Sequence, residues 1–422
     1  MPTAKKLNNG LTYIPIEKPA SKTAAVLLLV KVGSNYETPE TYGGAHLLEH
    51  LVFKGTKSFS DSQKIGEYLD EVGGDYNAFT GKEMTGYHAV VEKAHIGRAL
   101  KVMFELANRP LLRQEDFDSE KKVIIEEIKL HEDIPMHLAG DIFFQAMFPN
   151  QPIAHNIAGT RKSVERFKYQ DFVNFYQSHY RAEKMILAVS ADKDTLKNLD
   201  LMDYQKIRGG AKMSEISSSK VSKDSARIEI AERKIEQANL ILGFLGPSYS
   251  SKDRLKMSLL TSVLGGMMSS RMFIEVREKQ HLCYNIRSDM DFYQDLSLLS
   301  TEAGVKTENL YRAIRAILYE YQKIKSKGIS KAELAKGRDN LKGRLAIGLD
   351  SSEALASFYG RQWILSGNLA GLDSIYREID SVTQADILEI AKKYFSRETL
   401  SIAVISPKAD KAKVSVELNK FR

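Results

Sequence analysis

With 422 residues, 43% of them hydrophobic and 27% charged, the chain has the composition of a folded protein rather than a disordered one, and it is long enough for more than one core. Its 61 basic residues exceed 54 acidic ones for a formal charge of +7, but the excess is dispersed; even the lysines of 205–224 alternate with serines and acids, which argues against nucleic acid as a partner. The single cysteine, Cys283, rules out an intramolecular disulfide, residues 1–6 hold no apolar signal region, and the apolar run 24–30 is too short to span a bilayer, so a cytoplasmic protein off the membrane is expected.

Residues 11–17 and 23–32 alternate or run apolar, as strands do. Next comes Gly43-Gly44-Ala45-His46-Leu47-Leu48-Glu49-His50-Leu51-Val52-Phe53, whose apolar residues at 47, 48, 51 and 52 recur at helical spacing. Four residues turn a helix by about 400°, so His46 and His50 project from one side, with Glu49 on its flank. Two imidazoles one turn apart can grip one Zn²⁺, and a carboxylate between them can deprotonate a water held there. His-x-x-Glu-His is the inverted form of the His-Glu-x-x-His zinc signature. The pattern alone equally describes a half-buried histidine pair, and a zinc site needs a third protein ligand.

A second helix is expected over 61–72, ended by Gly73-Gly74. Strands at 75–80 and 85–91 follow, then helices over 94–108, 116–131, 136–147 and 167–178, and a strand at 184–190. Strands interleaved with helices in this order suggest an α+β layer. The best donor of a third ligand is the stretch 117–130, where Val123, Ile124, Ile125, Ile128 and Leu130 supply an apolar side without Gly or Pro. Glu120 and Glu127 stack two turns apart on one face, and Glu126 points about 100° away. Taken singly, any of these glutamates reads as an exposed helix charge.

Residues 205–225 are polar, Gly/Ser-rich and without periodicity, and form the linker candidate. Beyond them the pattern restarts with a strand at 238–245 and helices at 252–264 and 269–280. Tyr284-Asn285 then opens a strand as Tyr76-Asn77 does, 208 residues later. A repeat near half the chain length implies two similar domains. The reading is an N-terminal zinc-binding domain at 1–206, a linker at 207–225 and a homologous domain at 226–422. Histidines 88, 95, 131, 137, 155, 179 and 281 show no further ligand spacing, and Tyr359 and Trp363 in a helix at 353–365 read as core.

The run 43–56, Gly-Gly-Ala-His-Leu-Leu-Glu-His-Leu-Val-Phe-Lys-Gly-Thr, resembles the zinc helix of the pitrilysin/insulinase family of metallopeptidases, above all the branch of the mitochondrial processing peptidase β-subunit and its bacterial relatives. That family's third ligand is a glutamate 76 intervening residues beyond the motif's last histidine, a place held here by Glu127, with a supporting glutamate seven residues earlier at Glu120. The segment 73–80 matches the family's Asn-Ala strand beside the zinc, which assigns Asn77 and Ala78 to the peptide main chain. Arg277 and Tyr284 match the pair with which active members stabilise the oxyanion formed on a peptide carbonyl. Residues 264–273 resemble the family's glycine-containing loop, and 148–160 a loop that is positional rather than catalytic.

The resemblance implies two homologous α+β domains, each a mostly antiparallel sheet with helices packed on one face, as in processing peptidases. It implies one Zn²⁺ per chain on His46, His50 and Glu127, Glu49 as general base, and Glu120 orienting the ligands. Two chains would close a chamber admitting short or unfolded peptides, as a homodimer rather than with a related second subunit. The alternatives are a catalytic subunit of a heterodimeric peptidase and a non-catalytic structural subunit, like the core subunits of respiratory complexes.

Overall fold

The computed structural model describes residues 1–210 and 227–421, so most of the expected linker, residues 211–225, lies outside the described residues. Two compact units are present. The first is built on a six-stranded sheet of β1 (Lys5–Lys6), β2 (Thr12–Glu17), β3 (Thr23–Val30), β4 (Asp75–Thr80), β5 (Thr85–Glu92) and β6 (Met185–Ala191), in the order β1-β2-β6-β3-β5-β4. Only β2 and β6 run parallel. The continuous apolar runs of β3 and β6 occupy the middle, where both faces are covered and nearly every side chain is buried. Val26, Leu28 and Val30 face a core shared with Leu47, Leu48 and Leu51 of the helix Gly44–Val52 and Met103 and Phe104 of the helix Ile96–Asn108.

The second unit repeats this plan with β7 (Arg227–Glu232), β8 (Gln237–Gly246), β9 (Cys283–Phe292), β10 (Ser297–Lys306) and β11 (Ser401–Ser406), ordered β7-β11-β8-β10-β9. Again a single parallel pair, β7 with β11, adjoins an antiparallel remainder. β4 and β9 hold the same outermost place and begin 208 residues apart, the offset read from the Tyr-Asn pairs. On one face, Phe244 stacks among Tyr321, Phe395 and Phe421. The expected helix at 269–280 is shorter and differently wound: Met272–Glu278 is a π-helix, with the Lys279 amide donating to the carbonyl of Ile274 five residues back.

Most helices lie on one face of each sheet, but the opposite face carries a helix from the other half of the sequence. Residues 130–154, with the helix Pro135–Met147, belong to the second unit, and 346–371, with the helix Ser352–Ser366, belong to the first. The contiguous division at 1–206 and 226–422 is therefore exchanged at two segments. Periodicity shows that a helix has an apolar side and is silent about which sheet receives it. Phe143 packs with Ile241 and Ala403 in the second unit. In the first, Gly360 lets its helix approach the sheet: a Cβ there would lie 2.8 Å from Leu29 Cδ1 and 3.4 Å from Leu27 Cδ2. Among the described residues, no helix is long and apolar enough to cross a membrane. Replacing Gly360 with valine overfills this contact, and urea unfolding is expected to show a loss of about 1–3 kcal/mol.

Candidate metal centre

The helix Gly44–Val52 buries Leu47, Leu48, Leu51 and Val52, and this turns His46, Glu49 and His50 to its half-buried side. The helix Gln114–Asp133 buries Phe117, Glu120, Ile124 and Ile128, which leaves Glu127 on a more open side, 42% exposed. The two helices bring three donors together. Glu127 Oε2 lies 3.8 Å from His46 Nε2 and 3.6 Å from His50 Nε2, and all three atoms fall within 4.8 Å of one another. Among the described residues, no other group of three or more His, Cys, Asp or Glu meets this condition.

These separations suit an ion better than a salt bridge. Two ligands about 2.1 Å from a tetrahedral ion lie about 3.4 Å apart, close to the distances found. Burial, and then repulsion from His50, lowers the His46 pKa to about 4, so its ring is neutral near pH 7, as a ligand must be. Its Nδ1 is buried without a hydrogen-bond partner. His50 is held from behind: its Nδ1 is 3.1 Å from Glu120 Oε2, and Glu120 Oε1 is 2.5 Å from Lys54 Nζ. When Nδ1 carries the ring proton it donates to Glu120, whose other oxygen is gripped by the Lys54 ammonium. The lone pair of Nε2 then faces Glu127.

Glu49 accepts a 2.5 Å hydrogen bond on Oε2 from Thr80 Oγ1, at the end of β4. Burial raises its pKa above the ordinary carboxylate range, opposed by the Thr80 bond and by His50 and reinforced by Glu127. Among the described residues β4 pairs only with β5, so its outer main-chain groups face away from the sheet. Asn77 and Ala78 sit in the middle of this edge, where the Asn77 side-chain carbonyl accepts from the Ala78 amide at 2.8 Å. Arg277 and Tyr284 belong to the second unit and form a pair there. The Arg277 guanidinium lies 4.4 Å from the Phe273 ring centre and 5.8 Å from that of Tyr284, whose side chain opens β9 and is 79% exposed.

A family model described as "Insulinase (Peptidase family M16)" matches residues 13–161, and one described as "Peptidase M16 inactive domain" matches 166–341. The chain belongs to the insulinase family of zinc metallopeptidases. An uncharacterized zinc protease of Streptomyces coelicolor is 31% identical over 96% of this chain and 89% of its own length. Among solved structures, a protease from Helicobacter pylori superposes with a TM-score of 0.89 at 23% identity, covering 96% of this chain and 99% of that one. A chain of complex III2 from Candida albicans shares the fold, with a TM-score of 0.82 at 19% identity, covering 99% of each. The metal-capable residues all lie inside the insulinase match, while Arg277 and Tyr284 lie inside the match to the family's inactive domain.

Two members of this M16 centre escaped sequence reasoning. Lys54 stands four residues after His50 at the helix end, a spacing that could have flagged it; nothing in the sequence pairs Thr80 with Glu49. Glu120→Gln is expected to weaken Zn²⁺ binding by about 10- to 100-fold in a chelator competition, and Lys54→Met by less. Unchanged affinity in Glu120→Gln would show that His50 needs no support from behind.

Proposed function

We propose that this chain is a zinc endopeptidase that hydrolyses short or unfolded peptides and works in the cytoplasm as a homodimer. The observation that carries the reading is the meeting of His46, His50 and Glu127 with Glu49 beside them. His46, His50 and Glu127 would hold one Zn²⁺ per chain, with Glu120 orienting His50. When bound, the ion supplies Lewis acidity toward the scissile carbonyl and makes water acidic enough to attack near neutral pH.

The remaining work falls to the protein. Thr80 occupies Glu49 Oε2, which leaves Oε1 to take the proton of the attacking water and return it to the leaving amine. The raised proton affinity of Glu49 aids that return. The open edge of β4 offers main-chain hydrogen bonds to an extended peptide around Asn77 and Ala78, so recognition depends little on side chains. Arg277 and Tyr284 donate hydrogen bonds to the oxyanion as the carbonyl becomes tetrahedral. Each chain carries both the metal ligands and this pair, so a second copy supplies the pair to each centre and no different subunit is required.

A structural subunit of the same fold would have no use for three converging ligands and a base. Less than about a tenth of an equivalent of zinc in gently purified protein would favour that role instead. Glu49→Gln is expected to keep its metal and lose peptide hydrolysis; full activity would refute its part as base. Tyr284→Phe is expected to lower turnover by about 10- to 1,000-fold with zinc content unchanged. Mixing these two impaired variants tests the homodimer. If the pair acts across the interface, about a quarter of the wild-type sites return by exchange of protomers; no recovery means that each chain serves its own metal or that another subunit is needed.

A further inference from the structure

Among the buried carboxylates that the proposed reaction does not use, one adjoins the histidine helix. Glu37 lies on the approach to the histidine helix, and its side chain is 6% exposed. Its Oε2 accepts the Gly43 amide at 2.9 Å and its Oε1 the Ala45 amide at 2.8 Å. These are the first amides of the helix Gly44–Val52, the groups that the helix's own carbonyls cannot satisfy.

A helix is ordinarily capped by the side chain of its own N-cap residue. Here that residue is Gly43, with φ of +93°, and a Cβ would sit 2.6 Å from the carbonyl oxygen of Ala158. Close passage of the loop thus excludes any capping side chain at 43. Glu37 reaches in from six residues upstream and supplies both oxygens. Burial raises the Glu37 pKa to about 8 against the opposing pull of these amides and of the Lys82 ammonium, so its hold on the helix start rests on two acceptor oxygens rather than on charge. The anchored amide of Ala45 immediately precedes His46.

We propose that Glu37 is a positioning residue for the metal centre: by clamping the Gly43 and Ala45 amides it sets the start of the histidine helix and so the placement of His46 and His50 toward Glu127. This rests on the zinc reading above. Glu37 touches neither metal nor substrate, so its effect passes through ligand geometry.

The test compares wild type with Glu37→Gln, which keeps the volume but turns an NH₂ toward one of the two amides. A second variant, Glu37→Asp, keeps the carboxyl group and shortens the reach. Affinities for Zn²⁺ and Co²⁺ are measured by chelator competition, the visible Co²⁺ spectrum is recorded, and thermal unfolding of the metal-free proteins is followed. The expected result is metal binding about tenfold weaker in Glu37→Gln with an altered Co²⁺ spectrum, an intermediate effect in Glu37→Asp, and a lower kcat with little change in KM.

A merely structural role predicts a lower unfolding temperature with wild-type metal affinity and spectrum in the folded fraction, and that outcome overturns the proposal. If neither variant folds, amide hydrogen exchange of metal-free wild type decides: strong protection at Ala45 is expected, and exchange at the rate of an open amide overturns it. Wild-type protein that binds no Co²⁺ would instead sink the zinc reading itself.

Discussion

The structure turns on the meeting of His46, His50 and Glu127, whose ligand atoms lie within 4.8 Å of one another. Glu127 Oε2 approaches the two imidazole Nε2 atoms to 3.6 and 3.8 Å, too far for hydrogen bonds and too close for indifference. The His50–Glu120 contact ties the two helices together, and apolar packing seats each of them. The histidine helix is pinned through its leucines to the underside of the first sheet, and the glutamate helix through Phe117, Ile124 and Ile128 to the same core. The donors are thus pre-placed by apolar packing, and a ligand entering the site pays little to order them.

Behind the donors stand groups with one task each. Lys54 grips Glu120 and Glu120 fixes the His50 ring, while Thr80 fixes Glu49 from the neighbouring strand. Such contacts determine which nitrogen carries the proton and which oxygen is free, details that decide whether a constellation of the right residues is also competent. Glu37 extends the same logic to the backbone.

The two units share a strand order and differ in what they display on it. The helix Arg254–Leu264 takes the place of the histidine helix in the second sheet's sequence order, and eight of its eleven residues are buried, with no histidine or carboxylate among them. The place of Ser62–Asp70 is taken by the π-helix that carries Arg277. Arg271 steadies its base through a double contact with Glu333 at 2.6 and 2.9 Å. One architecture therefore holds metal-capable residues in its first copy and an exposed cation–phenol pair in its second.

The sequence by itself determined whatever is local or periodic. Helical spacing placed His46 and His50 on one side and Glu49 between them; apolar runs placed β3, β6 and β8; Gly73-Gly74 marked the turn beyond the helix Ser62–Asp70, which stops two residues short of the expected end; and the Tyr-Asn echo matched the repeated strand order. Glu127 was singled out from its neighbours only through the family's spacing, because every glutamate on an amphipathic helix looks alike until its partner is known. Tertiary structure alone decided that the helices at 135–147 and 352–366 change sheets, that Asn77 and Ala78 lie on an open edge, and that Thr80, Lys54 and Glu37 stand behind the donors. The physical reason is common to all of these. A side chain's rotation about its own helix or strand follows from covalent geometry over a few residues, whereas its partner is chosen by the packing of segments far apart in the chain.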